Sequence, residues 1–135
     1  MSLALADTSA WILAVQRKEP GVLARIKESA ARGELAVCPI VLLEWLAGRG
    51  KGEDPAAIRS RFTVLKMLPC TDAVWRRAQD LAAQARTRGH TVGAADALVA
   101  AHAMEAGAVL LHADRDFERL APWSGLLQES LLRSR

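Results

Sequence analysis

The sequence predicts an α/β fold: a central parallel sheet of four to five strands with helices on both faces. Three observations carry that expectation. Short apolar runs of strand length alternate with longer segments of helical periodicity along the chain. Glycine or proline punctuates the joints, at Gly33, Pro39, Gly48, Gly89 and Gly107. Two of the apolar runs end in an aspartate, Asp7 and Asp114, and ligands in open α/β sheets bind beyond the carboxyl ends of strands.

The elements follow in order. Leu3–Ala6 is an apolar run closed by Asp7, and reads as the first strand. Thr8 and Ser9 can cap a helix over Ala10–Gln16. Pro20 suits the first turn of a second helix, whose Val22, Leu23, Ile26 and Ala30 share one face. Leu35–Cys38 is the second strand. Pro39 opens a helix over Ile40–Ala47 that is apolar nearly all round, which predicts burial. A polar loop, Arg49–Asp54, leads to a helix with Ile58, Phe62 and Leu65 as its core face. Met67–Cys70 is a short strand candidate. Thr71 or Asp72 caps a helix over Ala73–Arg88, striped by Val74, Trp75, Ala78, Leu81, Ala82 and Ala85. An alanine-rich helix from Gly93 carries Asp96 and breaks at Gly107. Ala108–Leu111 then reads as a buried strand ending in an acidic turn with Asp114 and Asp116. A short helix, Phe117–Ala121, is expected to stop at Pro122, with Gly125–Gln128 as an edge strand and Leu131–Arg135 as a basic tail.

A length of 135 residues suits one domain over 1–135, with a sizeable core. The chain is 51% hydrophobic, yet no apolar run approaches the length of a membrane span. The start MSLALADTSAW has no basic n-region, so a cytoplasmic location and no membrane partner are expected. Cys38 and Cys70 lack metal-ligand spacing and read as reduced packing residues. The net charge of +3 is mildly basic and compatible with an anionic partner.

Four acids share one logic: Asp7, Glu44, Asp96 and Asp114. Asp7 and Asp114 follow strands. Glu44 has Ile40, Val41, Ala47 and Gly48 as its helical neighbours, and Asp96 has Val92, Gly93, Val99 and Ala100. None of these can pair with a carboxylate, and a buried ionised carboxylate must pair or bind metal. The plainer account of Asp96 is a first-turn acid favoured by the helix dipole; of Glu44, a solvated face. Taken together, carboxylates without Lys or Arg in the same motifs favour a hard divalent cation, Mg²⁺ or Mn²⁺. A phosphatase with an aspartate nucleophile fits less well, because Ser9 stands two places after Asp7 instead of a second acid.

Four segments, ADTSAW at 6–11, PIVLLEWLAG at 39–48, GAADALVAAHA at 93–103 and LLHADRDFERLA at 110–121, occur in an order that resembles the PIN-domain ribonucleases of the VapC toxin group of type II toxin–antitoxin systems. The resemblance implies a PIN-like fold with five parallel strands and a metal-dependent endoribonuclease leaving a 5′-phosphate and a 3′-hydroxyl. It implies metal ligation by Asp7, Asp96 and Asp114, with Glu44 as a further ligand or as the group orienting the water. Asp116 corresponds to a more variable second acid, and Ser9 to a hydroxyl that supports the site. His112 stands where many members have threonine. RNA as substrate, a cognate antitoxin and homodimerisation are implied as well. The alternative is a PIN-like domain that binds RNA or protein without catalysis.

Arg17, Lys18, Arg49, Lys51, Arg86, Arg88 and Arg115 can attract RNA phosphates or be ordinary solvated surface. His90, His102 and His112 are not spaced as a metal set. The four tryptophans read as core or interface anchors, with Trp11 and Trp45 flanking the acidic motifs.

Overall fold

The computed structural model describes residues 2–132. Its strands are β1 (Ala4–Ala6), β2 (Leu35–Val37), β3 (Lys66–Met67), β4 (Val109–His112) and β5 (Gln128–Ser130). They form one sheet in the order β3-β2-β1-β4-β5, and every neighbouring pair is parallel. Ala4 lies opposite Leu35 on one side and Val109 on the other. Strand order runs outward from β1 in one direction and from β4 in the other. The crevice at such a reversal, beyond the carboxyl ends of β1 and β4, is where a doubly wound sheet offers a site.

The helices are α1 (Thr8–Trp11, continued in π geometry over Ile12–Gln16), α2 (Pro20–Ala31), α3 (Pro39–Glu44, continued in π geometry over Trp45–Arg49), α4 (Pro55–Thr63), α5 (Asp72–Thr87), α6 (Ala94–Ala106) and α7 (Arg115–Ser124). With the right-handed crossovers that parallel strands take, α1–α4 cover one face of the sheet and α5–α7 the other. Cover on both faces explains why β1, β2 and most of β4 are runs of buried apolar residues rather than alternating ones. Phe62 and Phe117 are buried on opposite sides of this sandwich, each contributing about 1.5–3 kcal/mol through area removed from water. Trp11 meets Phe62 edge-on, with ring centroids 5.0 Å apart. Trp45 is buried beneath the turn after α3, and its Nε1 donates to Glu53 Oε1 at 3.1 Å; Arg61 clasps the same carboxylate. A Cβ at Gly50 would stand 2.5 Å from the Trp45 ring, so that turn admits only glycine without a shift.

Several elements differ from expectation. The third strand is Lys66–Met67, exposed at the sheet edge, rather than Met67–Cys70. The last is Gln128–Ser130, half-buried and polar, rather than Gly125–Gln128. The helix expected over Phe117–Ala121 begins at Arg115 and runs through Pro122 to Ser124; it ends at Gly125, whose φ of 84° is left-handed. The helix after Pro39 is not buried all round: Val41 and Trp45 face the core, but Leu43 is 59% exposed. Trp75, read as a core or interface anchor and placed in the apolar stripe of its helix, is 49% exposed and so is not a core residue. Of the basic tail, Leu131 and Leu132 are described, and 133–135 lie outside the described residues.

Candidate metal centre and active site

At the end of β1 the backbone N–H of Asp7 donates to Leu111 at 2.9 Å, which carries the β1–β4 ladder up to the acid itself. Asp7 then caps α1: its Oδ2 accepts from the Ser9 backbone N–H at 3.2 Å and from the Ser9 hydroxyl at 2.7 Å. The Ser9 oxygen in turn accepts the Ala113 N–H at 3.0 Å. One hydroxyl therefore ties the turn after β1 to the turn after β4. Thr8 completes the corner by donating its hydroxyl to Glu44 Oε1 at 2.8 Å, fixing a glutamate that comes from α3.

The turn after β4 is built in the same way. Asp114 caps α7, with its Oδ1 accepting the Asp116 N–H at 2.9 Å. His112 is fully buried, and its Nδ1 accepts the Asp114 N–H at 3.1 Å. That fixes the ring proton on Nε2, which donates to Gln128 Oε1 at 2.6 Å. The histidine thus supplies an acceptor that shapes the acidic turn and links it to β5.

Asp96 enters from α6. It lies in the first turn, after a Gly93 cap that offers no side-chain hydrogen bond. Oxygens of Asp96, Asp114 and Asp116 all lie within 4.8 Å of one another. Asp96 has no hydrogen bond or ion pair among the described residues. Burial holds its carboxyl up to about 7, from an ordinary 3.8, and the charges of Asp7, Asp114, Asp116 and Glu44 add to the rise. Asp7 is raised as well, chiefly by burial, against the lowering effect of its Ser9 hydrogen bonds. The nearest described cation is Arg119, 3.8 Å from Asp116, on a side chain 64% exposed. Such a pair contributes little.

The structure therefore brings Asp96 and Asp114 together with Asp116, which the sequence marks only as a supporting acid. Asp7 and Glu44 stand outside that trio but within its electrostatic reach, their oxygens engaged by Ser9 and Thr8. Thr8 and His112 are contributors that spacing does not reveal, because each acts through a partner distant in sequence. The donors fit a hard divalent cation: they are carboxylate oxygens, held close and carrying repulsion that a cation relieves.

Comparison with known proteins points to one family. The PIN domain family model matches residues 4–122. Ribonuclease VapC11 of Mycobacterium tuberculosis is 32% identical over 125 residues, covering 87% of this chain and 90% of the relative. Ribonuclease VapC21 of the same organism is 32% identical over 105 residues, 76% of each chain. Among solved structures, DNA-bound VapBC from Salmonella typhimurium superposes with a TM-score of 0.80 at 23% identity, covering 96% of this chain and 98% of the other. VapBC-5 from M. tuberculosis gives 0.72 at 19% identity, covering 97% and 100%. The strand order and the family match over nearly the whole described length thus agree, and the chain belongs to the PIN-domain family, within its VapC ribonuclease group.

Proposed function

We propose that this chain is a metal-dependent endoribonuclease of the cytoplasm, acting as the toxin of a type II toxin–antitoxin pair. The observation that carries the reading is the trio of Asp96, Asp114 and Asp116 oxygens within 4.8 Å, with no strong cation beside it among the described residues. The ribonuclease names of its relatives, and the toxin–antitoxin complexes among its structural neighbours, support the substrate class and the cognate antitoxin.

In this reading Asp96, Asp114 and Asp116 hold Mg²⁺ or Mn²⁺, with Asp7 completing the site. The bound cation supplies Lewis acidity and a more acidic water. Ser9 keeps Asp7 aimed and keeps the two strand-end turns in register. Thr8 engages one oxygen of Glu44 and leaves the other to orient the attacking water. Water adds to phosphorus, the bond to O3′ breaks, and the electron pair leaves with O3′, which is protonated. The products are a 5′-phosphate and a 3′-hydroxyl.

Purified chain should cleave RNA with Mg²⁺ or Mn²⁺ and stop on addition of EDTA. Asp7→Asn or Asp96→Asn should lose most of the rate. Full-rate cleavage by both variants, in material free of contaminating nuclease, defeats the assignment. The toxin role is checked by growth: expression alone should slow a host, and co-expression with the adjacent antitoxin gene should restore it.

A further inference from the structure

The carboxylates that suit a cation also repel a polyanion, so RNA must be drawn in by positive charge placed beside them. Many arginines are unavailable for that task, since Arg25, Arg61 and Arg77 are paired with Glu129, Glu53 and Glu105. Arg17, Arg49 and Arg86 make no ion pair among the described residues, and Arg119 reaches only Asp116 at 3.8 Å. These four are not scattered. Arg17 and Arg49 line a cavity of about 310 Å³ whose wall includes Ser9 and Ala113, the two residues that join the turns carrying Asp7 and Asp114. Arg86 and Arg119 line a second cavity of about 450 Å³, with His90 and Thr91 from the loop that leads into α6 and Asp96.

The two cavities share no residue. The first is walled by α1, the turn after α3 and the ends of β4 and β5; the second by the end of α5, the α5–α6 loop and α7. Helices α1 and α3 lie on one face of the sheet and α5 and α7 on the other, and the acids come from both: Asp7 starts α1, while Asp96 and Asp114 stand at the starts of α6 and α7. Each cavity is on the scale of a small-ligand pocket. We infer that a single RNA strand crosses the carboxyl edge of the sheet, one flanking phosphate held by Arg17 and Arg49 and the other by Arg86 and Arg119, with the scissile phosphodiester over the acids between. This deepens, and rests on, the ribonuclease reading above. It makes the four arginines positioning residues, while Arg88, which lies 4.6 Å over the Trp123 ring, is engaged in packing.

The test uses a short fluorescein-labelled single-stranded RNA, with anisotropy read over a salt series in the slow-cleaving Asp96→Asn background with Mg²⁺. Arg17→Gln/Arg49→Gln and Arg86→Gln/Arg119→Gln are compared with Lys27→Gln/Arg59→Gln, which removes the same charge outside both cavities. Each cavity pair should weaken binding roughly tenfold at about 0.1 M salt and flatten the log–log salt slope by about 0.7, the value for one neutralised phosphate on a single strand. The control should change affinity by less than about twofold, since it removes no phosphate contact. With Asp96 restored, both cavity pairs should raise KM for RNA more than they lower kcat. Cavity variants that match the control overturn the inference, and so does a loss confined to one pair. If the unmodified chain cleaves no RNA, the ribonuclease reading fails, while the binding comparison still decides the track.

Discussion

Replacing Asp96 by asparagine should raise, not lower, the melting temperature of the metal-free chain. The Asp96 carboxyl sits at about 7 in the folded protein against 3.8 ordinarily. A carboxyl raised on folding binds its proton more tightly in the native state, so the unfolded state holds fewer protons between those two values. Stability then falls as pH rises through that window, and the full penalty is present above about pH 7. Each pKa unit is worth about 1.36 kcal/mol, which sets a ceiling near 4 kcal/mol for the whole rise. Asp96 is only half-buried and water screens it, so about 1–2 kcal/mol is the working figure. Asparagine also forfeits the helix-dipole benefit of a first-turn acid, about 0.3–1 kcal/mol, which does not overturn the sign. The net gain, up to about 1.7 kcal/mol, corresponds to a Tm higher by up to roughly 6 °C for a chain of this length. Thermal melts in EDTA at about pH 5 and about pH 8 measure it, and the gap should widen at the higher pH. With Mg²⁺ the order should narrow or reverse, because a ligand stabilises the form that binds it. An asparagine variant that melts at or below the parent in EDTA at both pH values would show Asp96 to be a helix-start residue without cluster repulsion.

Three further outcomes are expected. Asp114→Ala should be less stable in EDTA than Asp114→Asn by about 1 kcal/mol, because both lose the charge but only alanine loses the cap on the Asp116 N–H; equal urea midpoints would count against the cap. Gly50→Ala should destabilise by about 1–3 kcal/mol, since its Cβ meets a Trp45 ring pinned by burial and by Glu53; an unchanged Tm would show that the turn relaxes freely. The Cys38 thiol, fully buried and pushed up to about 12 by that burial, should resist iodoacetamide at about pH 8 while Cys70 reacts; mass spectrometry locates the adduct, and early labelling of Cys38 contradicts the burial.

Legibility in the sequence followed burial. The central strands β1, β2 and β4 are covered on both faces, so Leu5, Ala36 and Leu110 sit in apolar runs that announce them. The edge strands carry no such mark: β3 is two exposed residues, and β5 is Gln-Glu-Ser paired on one side only. Pro122 misled because its missing donor falls in the final turns of α7, where the helix tolerates the loss until Gly125. Strand-end acids were visible because each closes an apolar run. The closeness of Asp116 to Asp96 was not, because it depends on how α6 meets the first turn of α7 in space. The π geometry after Trp11 and Glu44 leaves no periodic signature in so few residues.

On the proposed reading Asp7 and Asp114 are joinery as well as chemistry, for each starts a helix with its own carboxylate. Asp96 starts nothing: Gly93 already opens α6, and the neighbouring carboxylates work against its charge. A lineage that abandoned nucleolysis would feel no structural pressure to keep Asp96, whereas Asp7 and Asp114 would persist as helix starts long after the chemistry had gone. Within such descendants an intact Asp-Thr-Ser corner would testify to architecture, and the acid at 96, on the proposed reading, to a working nuclease.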